Sequence, residues 1–192
     1  MKTIAQKISK LTFILLSLFS TTGFAQISSG LPPAKVDFDA YEKLVSEVKE
    51  HRKSRLIDFQ TFLKMGKEEK VIILDTRSDA MYASKHVKGA IHLNFADFTQ
   101  ANLARIIPSP DYKILIYCNN NFEDDEINFA SKAYIPKKTV NAKALTLALN
   151  IPTYINLYGY GYKNVYELNE LVSVFDPSIH FEGTSVYNKI GK

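Results

Sequence analysis

Cys118 is the only cysteine in the 192 residues, and its setting is suggestive. It follows the apolar run Lys113-Ile114-Leu115-Ile116-Tyr117 and opens the polar stretch Asn119-Asn120-Asn121. A β-rich run that stops at a thiol and then turns is how an α/β sheet presents a nucleophile at its carboxyl edge. A lone thiol closes no disulfide within its own chain and lacks the companion cysteines of a thiolate zinc site. The four histidines (His51, His86, His92 and His180) show no metal-ligand spacing, so no metal and no other cofactor is expected. Covalent sulfur chemistry, if the chain performs any, falls to Cys118. The bland alternative for this residue type is a small buried hydrophobe.

The elements that must position Cys118 are readable in outline. Asp37 or Asp39 can cap a helix in which Tyr41, Leu44, Val45 and Val48 recur at helical spacing. Leu56-Ile57 predicts a small edge strand, and Asp58 a cap for a short helix carrying Phe59, Phe62 and Leu63. Val71-Ile72-Ile73-Leu74-Asp75 has the continuous apolar pattern of a strand buried on both faces. Further strands are expected at Ala90–Leu93, Ile114–Tyr117 and Tyr154–Leu157. Helices are expected at Ser78–His86, Asp97–Ala104, Val140–Leu149 (with Ala142, Leu145, Ala148 and Leu149 on one face) and Tyr162–Val172. Strands alternating with helices predict an α/β fold: a mostly parallel, five-stranded sheet with helices on both faces, preceded by a helical extension.

The amino terminus reads as an export signal. Lys2, Lys7 and Lys10 flank a short apolar core, Leu11–Phe19, and Gly23-Phe24-Ala25 supplies a small-x-small cleavage pattern. Residues 1–25 are therefore expected to be removed, with an uncleaved anchor as the alternative. The apolar run is too short to span a bilayer, so no stable membrane insertion is expected, and the protein should be secreted or periplasmic. Gln26 follows the cleavage pattern where a lipid anchor needs cysteine. With those three lysines taken off the 24 basic side chains, 21 stand against 20 acids, which leaves little basis for nucleic-acid binding. About 167 residues remain, enough for one domain with its own core. Residues 26–55 are expected to hold a linker, broken by Pro32-Pro33, and the first helix.

The stretch from Leu74-Asp75-Thr76-Arg77 through Tyr82 and His86-Val87-Lys88-Gly89-Ala90 to Asn94 resembles the signature of rhodanese-like domains. The strand entering Cys118 is similar to that family's active-site strand. Leu157-Tyr158-Gly159-Tyr160-Gly161-Tyr162 resembles the glycine-aromatic turn before the family's last helix. The resemblance spans about residues 56–175, the usual extent of one domain, and leaves 176–192 as an irregular tail. It implies sulfur transfer: a cysteine thiolate takes a sulfane sulfur from a small donor, holds it as a persulfide and passes it to a thiol. It also implies a loop after Cys118, Asn119 to Phe122, whose backbone N–H groups cup the sulfur anion and lower the thiol pKa.

Within that resemblance Asp75 and Arg77 are expected to pair and hold the loops at the sheet edge. Arg77 alternatively offers its positive fork to an anionic substrate. His86 is expected to be structural, with general-base use as the alternative. Tyr158 or Tyr160 is a candidate wall of the pocket.

Two features depart from the family pattern. The loop Cys118-Asn119-Asn120-Asn121-Phe122 has neither the usual glycine nor a basic residue, and Glu123-Asp124-Asp125-Glu126 follows it. Three asparagines tolerate the required backbone angles, and their amides can donate to a persulfide. Each carboxylate about 8 Å from the sulfur disfavours thiolate by roughly 0.5 kcal/mol in water. Inward-facing acids would thus slow the nucleophile and repel thiosulfate, so a neutral or partner-delivered donor is expected. Residues 122–138 read as an insertion, a lid over the site or a protein-contact surface.

The reading is a secreted rhodanese-like sulfurtransferase acting through Cys118. Its rival is a non-catalytic binding module in the cell envelope that uses the 122–138 insertion as a protein contact. A cysteine phosphatase or arsenate reductase is disfavoured, because no arginine follows Cys118 to clamp an oxyanion.

Overall fold

The computed structural model describes residues 31–134 and 145–187. The expected signal and the start of the linker lie outside the described residues, as does part of the 122–138 segment. From Asp37 onward the chain forms one compact unit. Its elements in order are α1 (Phe38–Arg52), β1 (Leu56–Ile57), α2 (Phe59–Met65), β2 (Val71–Asp75), α3 (Asp79–Ser84), β3 (His86–Val87), β4 (Ile91–His92) and α4 (Gln100–Ile106). There follow β5 (Lys113–Tyr117), β6 (Phe122–Glu123), β7 (Ala133–Tyr134), β8 (Leu145–Thr146), α5 (Asn150–Gly159), β9 (Val165–Leu168), β10 (Val172–Ser173), β11 (Phe181–Glu182) and α6 (Thr184–Tyr187). None of the described helices is long and apolar enough to cross a membrane.

The main sheet has five strands in the order β1-β9-β5-β2-β4, and every pairing in it is parallel. Its pleat sorts the apolar residues. Ile72, Leu74, Ile114 and Ile116 face one way and pack with Val48 of α1, Leu103 of α4 and Tyr154, Ile155 and Leu157 of α5. Leu115, Tyr117 and Leu168 face the other way and pack with Phe59, Phe62 and Met65 of α2 and with Phe129 and Ile179. Covering both faces is what lets β2 and β5 carry unbroken apolar runs. Each fully buried Leu or Ile contributes roughly 1.5–3 kcal/mol, so these strands hold much of the domain together.

Local chemistry sets the helix starts. Asp37 accepts the Ala40 N–H at 2.9 Å, Asp58 the Thr61 N–H at 2.7 Å and Thr99 the Asn102 N–H at 3.1 Å. Each oxygen satisfies a donor that the first helical turn leaves free. The expectation spanning Asp97–Ala104 splits into a 3-10 turn at Phe95–Asp97 and α4.

The carboxy-terminal third corrects the sequence reading. The helix expected at Val140–Leu149 is absent from its described part, where Leu145–Thr146 is β8, paired antiparallel with β7. The strand expected at Tyr154–Leu157 lies inside α5, and the helix expected at Tyr162–Val172 contains β9, the fifth strand of the sheet. Pro152 sits in the first turn of α5, where its missing N–H has no partner to lose, and so marks the true helix start. Short apolar runs such as Tyr154–Leu157 do not distinguish a buried helix from a buried strand.

The glycine-aromatic turn therefore joins α5 to β9 rather than preceding a final helix. Gly159 is needed there for packing, because a Cβ on it would lie 2.9 Å from Leu44 Cδ2 on α1.

The expected irregular tail is also structured through Tyr187. β11 pairs antiparallel with β3, and α6 packs on α3. Gly183 makes that docking possible, with φ +125° and room for no side chain: a Cβ would run into the Ser84 carbonyl oxygen. We expect Gly183→Ala to cost about 1–3 kcal/mol, read as a lower urea midpoint with an unchanged slope. An unaltered midpoint would mean that Phe181–Tyr187 contributes nothing to the domain.

Candidate functional site

The sheet order creates a crevice. From β2 the chain leaves toward β4, whereas from β5 it leaves toward β9, so their carboxyl ends flank a point where the winding reverses. Ligands of open α/β sheets collect at such points. Asp75-Thr76-Arg77 ends β2 there, and Cys118 ends β5, the middle strand.

Asp75 and Arg77 form the expected ion pair, and both are buried. Asp75 accepts Arg77 Nη2–H at 2.7 Å, the Arg77 backbone N–H at 2.9 Å and the Tyr117 hydroxyl at 2.5 Å. Arg77 Nε–H also donates to Asp75 at 3.1 Å, Nη2–H to Lys85 O at 2.7 Å and Nη1–H to Asn128 O at 3.0 Å, with Phe129 stacked 4.6 Å away. Arg77 thus binds loops, and its fork is not free for an anionic substrate. Burial pushes the Tyr117 hydroxyl well above its usual pKa, and the Asp75 charge adds to the shift.

Cys118 has extended backbone angles and no exposed surface. After it Asn119–Asn121 form a single 3-10 turn. The Asn121 N–H closes on Cys118 O at 3.1 Å and the Phe122 N–H on Asn119 O. A donor to Sγ also comes from outside the loop: the Leu149 N–H, at 3.2 Å. Burial pushes the thiol pKa up, and the Leu149 and Asn119 N–H groups, with the charges of Lys132 and Arg77, pull it back only in part.

The three asparagine side chains also differ from expectation. Asn119 Nδ2 donates to Ala130 O at 3.0 Å. Asn120 exchanges bonds with the Lys132 backbone and donates to Thr146 Oγ1, tying the loop to β8. Asn121 is the hub. Its Oδ1 accepts the Cys118 N–H and Asn150 Nδ2–H, both at 2.9 Å, and its Nδ2 donates to Leu168 O at 2.8 Å and Glu170 O at 3.2 Å. These amides lock the site and are not aimed at a persulfide. Phe122 turns into the core against Tyr117, Phe129 and Phe181.

Of the acidic run, Glu123, Asp124 and Glu126 are exposed. Asp125 pairs with Lys85 at 2.8 Å and with Asn128, which hold its pKa low against the opposing effect of burial. Burial, not the acids, is therefore what weakens the thiolate. His86 Nδ1 bonds Tyr82 O at 2.7 Å with its ring stacked on Tyr82, a structural placement. Tyr158 packs against the core cluster of α1 and α5, and the Tyr160 hydroxyl bonds Phe98 O. The described part of the inserted segment is docked rather than loose: β6 pairs with β10, and Phe129 fills the core. Among the described residues no group of His, Cys, Asp and Glu gathers as a metal site.

The site is thus a thiol at the carboxyl end of the middle strand of a parallel α/β sheet, with an Asp-x-Arg pair ending the neighbouring strand. The chain belongs to the rhodanese-like domain family, whose model matches residues 58–170, more than half of the sequence. No curated relative matches it. Among solved structures it is similar to the BH2092 protein of Bacillus halodurans (18% identity, TM-score 0.40, covering 77% of this chain and 86% of that one). It is also similar to a rhodanese with anions from E. coli (16%, TM-score 0.36, 59% and 99%). A variant of EanB in complex with hercynine shares 20% identity at a TM-score of 0.42 over 69% of this chain, which spans only 28% of EanB.

Two outcomes are expected. Asn121→Ala leaves the Leu168 and Glu170 carbonyls and the Cys118 N–H without partners. At about 1–3 kcal/mol for a buried group left unpaired, it should lower the urea midpoint and speed alkylation of Cys118 in the native protein. The second concerns pH. Because the folded thiol keeps its proton beyond the pH at which an unfolded cysteine releases it, about 8.5, its contribution is intact below that pH. It is lost as pH rises through the folded pKa, so Cys118→Ala should flatten the decline of stability above about pH 8.5.

Proposed function

We propose that this domain takes up a sulfane sulfur as a persulfide on Cys118 and passes it to an acceptor thiol. The observation that supports the reading is the position of Sγ at the end of the middle strand, with the Leu149 N–H donating to it at 3.2 Å. A fixed backbone donor at that atom stabilises the sulfur anion, both as thiolate and as persulfide. In the first half-reaction the thiolate attacks the donor's sulfane sulfur, and the donor's leaving group departs with the bonding electron pair. In the second the acceptor thiolate attacks the outer sulfur, and Cys118 leaves as thiolate. Because burial raises the thiol pKa, loading is slow at neutral pH. We place the domain outside the cytoplasm on the signal-like residues 1–25.

One observation favours a second reading. The complete burial of Cys118 suits a binding module that keeps the fold, contacts a protein through the inserted segment and leaves the thiol inert. Incubation with polysulfide followed by mass spectrometry separates the two. The sulfur carrier gains one sulfur on Cys118 and loses it to added thiol, and Cys118→Ser gains none. Absence of the added sulfur across pH 7–10, a window of about three units around the free thiol value, would leave the module.

A further inference from the structure

On the face of the sheet that α2 covers lies a cavity of about 170 Å³. Its walls are Phe62 and Leu63 of α2, Ile73 of β2, Val87 of β3 and Ile179, and of these Phe62, Val87 and Ile179 are buried. No residue of the Cys118 loop or of the Leu149 turn lines it, so the cavity is separate from the sulfur site.

Main-chain bonds fix the walls. The Gly66 N–H closes the end of α2 on Phe62 O at 2.9 Å, and the Lys88 N–H donates to His180 O at 2.9 Å, next to Val87 and Ile179. β3 is held further by its pairing with β11. Apolar side chains around such a hollow lack the dispersion contacts that a guest would supply. An apolar cavity of about 150 Å³ takes up benzene, so this one has room for a single ring or branched chain. It is well below the roughly 300–1,000 Å³ of sites for larger ligands.

The mouth is basic. Lys67, Lys88 and His180 complete the lining, and Leu63, Lys67 and Ser178 continue into an open groove of about 580 Å³ that Lys64 and Glu68 also line. The acids nearby are engaged. Glu68 pairs with Lys113 at 2.6 Å, and Asp176 accepts the Ser178 N–H at 2.8 Å. Glu182 accepts the Gly89 N–H at 3.3 Å and stands 3.9 Å from Lys88 Nζ, which leaves Lys67 with no carboxylate partner among the described residues. An apolar hollow with ammonium groups at its opening complements an anion that has an apolar body.

We propose that this cavity binds a small apolar carboxylate. Its ring or branched chain lies between Phe62 and Ile179, and its carboxylate pairs with Lys67 and Lys88. The flexible lysine stems let two point charges follow the carboxylate at an open mouth. The binding forms no covalent bond and does not depend on the chemistry of Cys118.

The test compares three probes by nuclear magnetic resonance titration: benzoate, benzyl alcohol (the ring without the charge) and acetate (the charge without the ring). The Kd for benzoate should lie about tenfold or more below that of either control. Its ring protons should show Overhauser contacts to the methyl groups of Leu63, Ile73, Val87 and Ile179. The exposed double variant Lys67→Gln/Lys88→Gln should raise the Kd for benzoate to that of benzyl alcohol and leave the latter unchanged. Benzoate binding no tighter than acetate, or no weaker in the double variant, overturns the proposal, as do ring contacts elsewhere. A peptide ending in a free phenylalanine carboxylate that binds where benzoate does not would overturn it in favour of a partner chain's terminus.

Discussion

One buried ion pair organises the carboxyl edge of the sheet. Asp75 and Arg77 are fully enclosed, and their bonds reach β5 through Tyr117, the α3–β3 turn through Lys85 O and the inserted segment through Asn128 O. Taking two charges out of water costs several kcal/mol per ion, and here the bonds to Asp75 from the Arg77 backbone N–H, Nε and Nη2 and the Tyr117 hydroxyl, with two carbonyls on Arg77, offset it. Removing one partner would strand the other, at about 3–5 kcal/mol. Tyr117 immediately precedes Cys118, so the same network that joins β2 to β5 sets where the thiol emerges. The pair is the foundation of the site without belonging to its chemistry.

Above that foundation, burial and hydrogen bonding pull the sulfur in opposite directions. Enclosure raises the Cys118 pKa, the Leu149 and Asn119 N–H groups lower it, and enclosure prevails. Desolvation acts on the whole charge of the thiolate, whereas two donors return only part of the hydration it loses. The exposed acids of the loop count for little beside this, because water screens them. A thiol arranged in this way is closed off from solvent, with the Leu149 N–H donating to it. Asn121 bonds Asn150 beside Leu149, the cysteine loop and the end of β9, so it ties three chain segments together beside the sulfur.

Local signals were legible where the pattern is long or the chemistry is short-range. β2 and β5 declared themselves through unbroken apolar runs, and Asp37 and Asp58 through capping. The Asp75–Arg77 pair showed in the Asp-x-Arg spacing. α5 and β9 were interchanged because Tyr154–Leu157 is a short β-prone stretch and Glu167 interrupts the apolar run of Val165–Leu168, and only Pro152 distinguished the helix. The docking of Phe181–Tyr187 rests on pairing with β3, nearly a hundred residues away, which no local periodicity announces. The strand count of five survived because the misplaced strand was replaced by its neighbour.

The amino-acid order alone determined that a single thiol ends a buried strand beside an Asp-x-Arg turn, since strand burial and side-chain alternation follow from residues close in the chain. Only the tertiary structure decided what surrounds that thiol. The Leu149 N–H, the Arg52–Glu167 pair and the amide hub of Asn121 come from segments far apart in sequence. Backbone donors carry no mark of residue type, and long-range pairings exist only once the two cores have closed around the sheet. That is why the sequence could nominate Cys118 but not show that its partner would be a main-chain amide of Leu149.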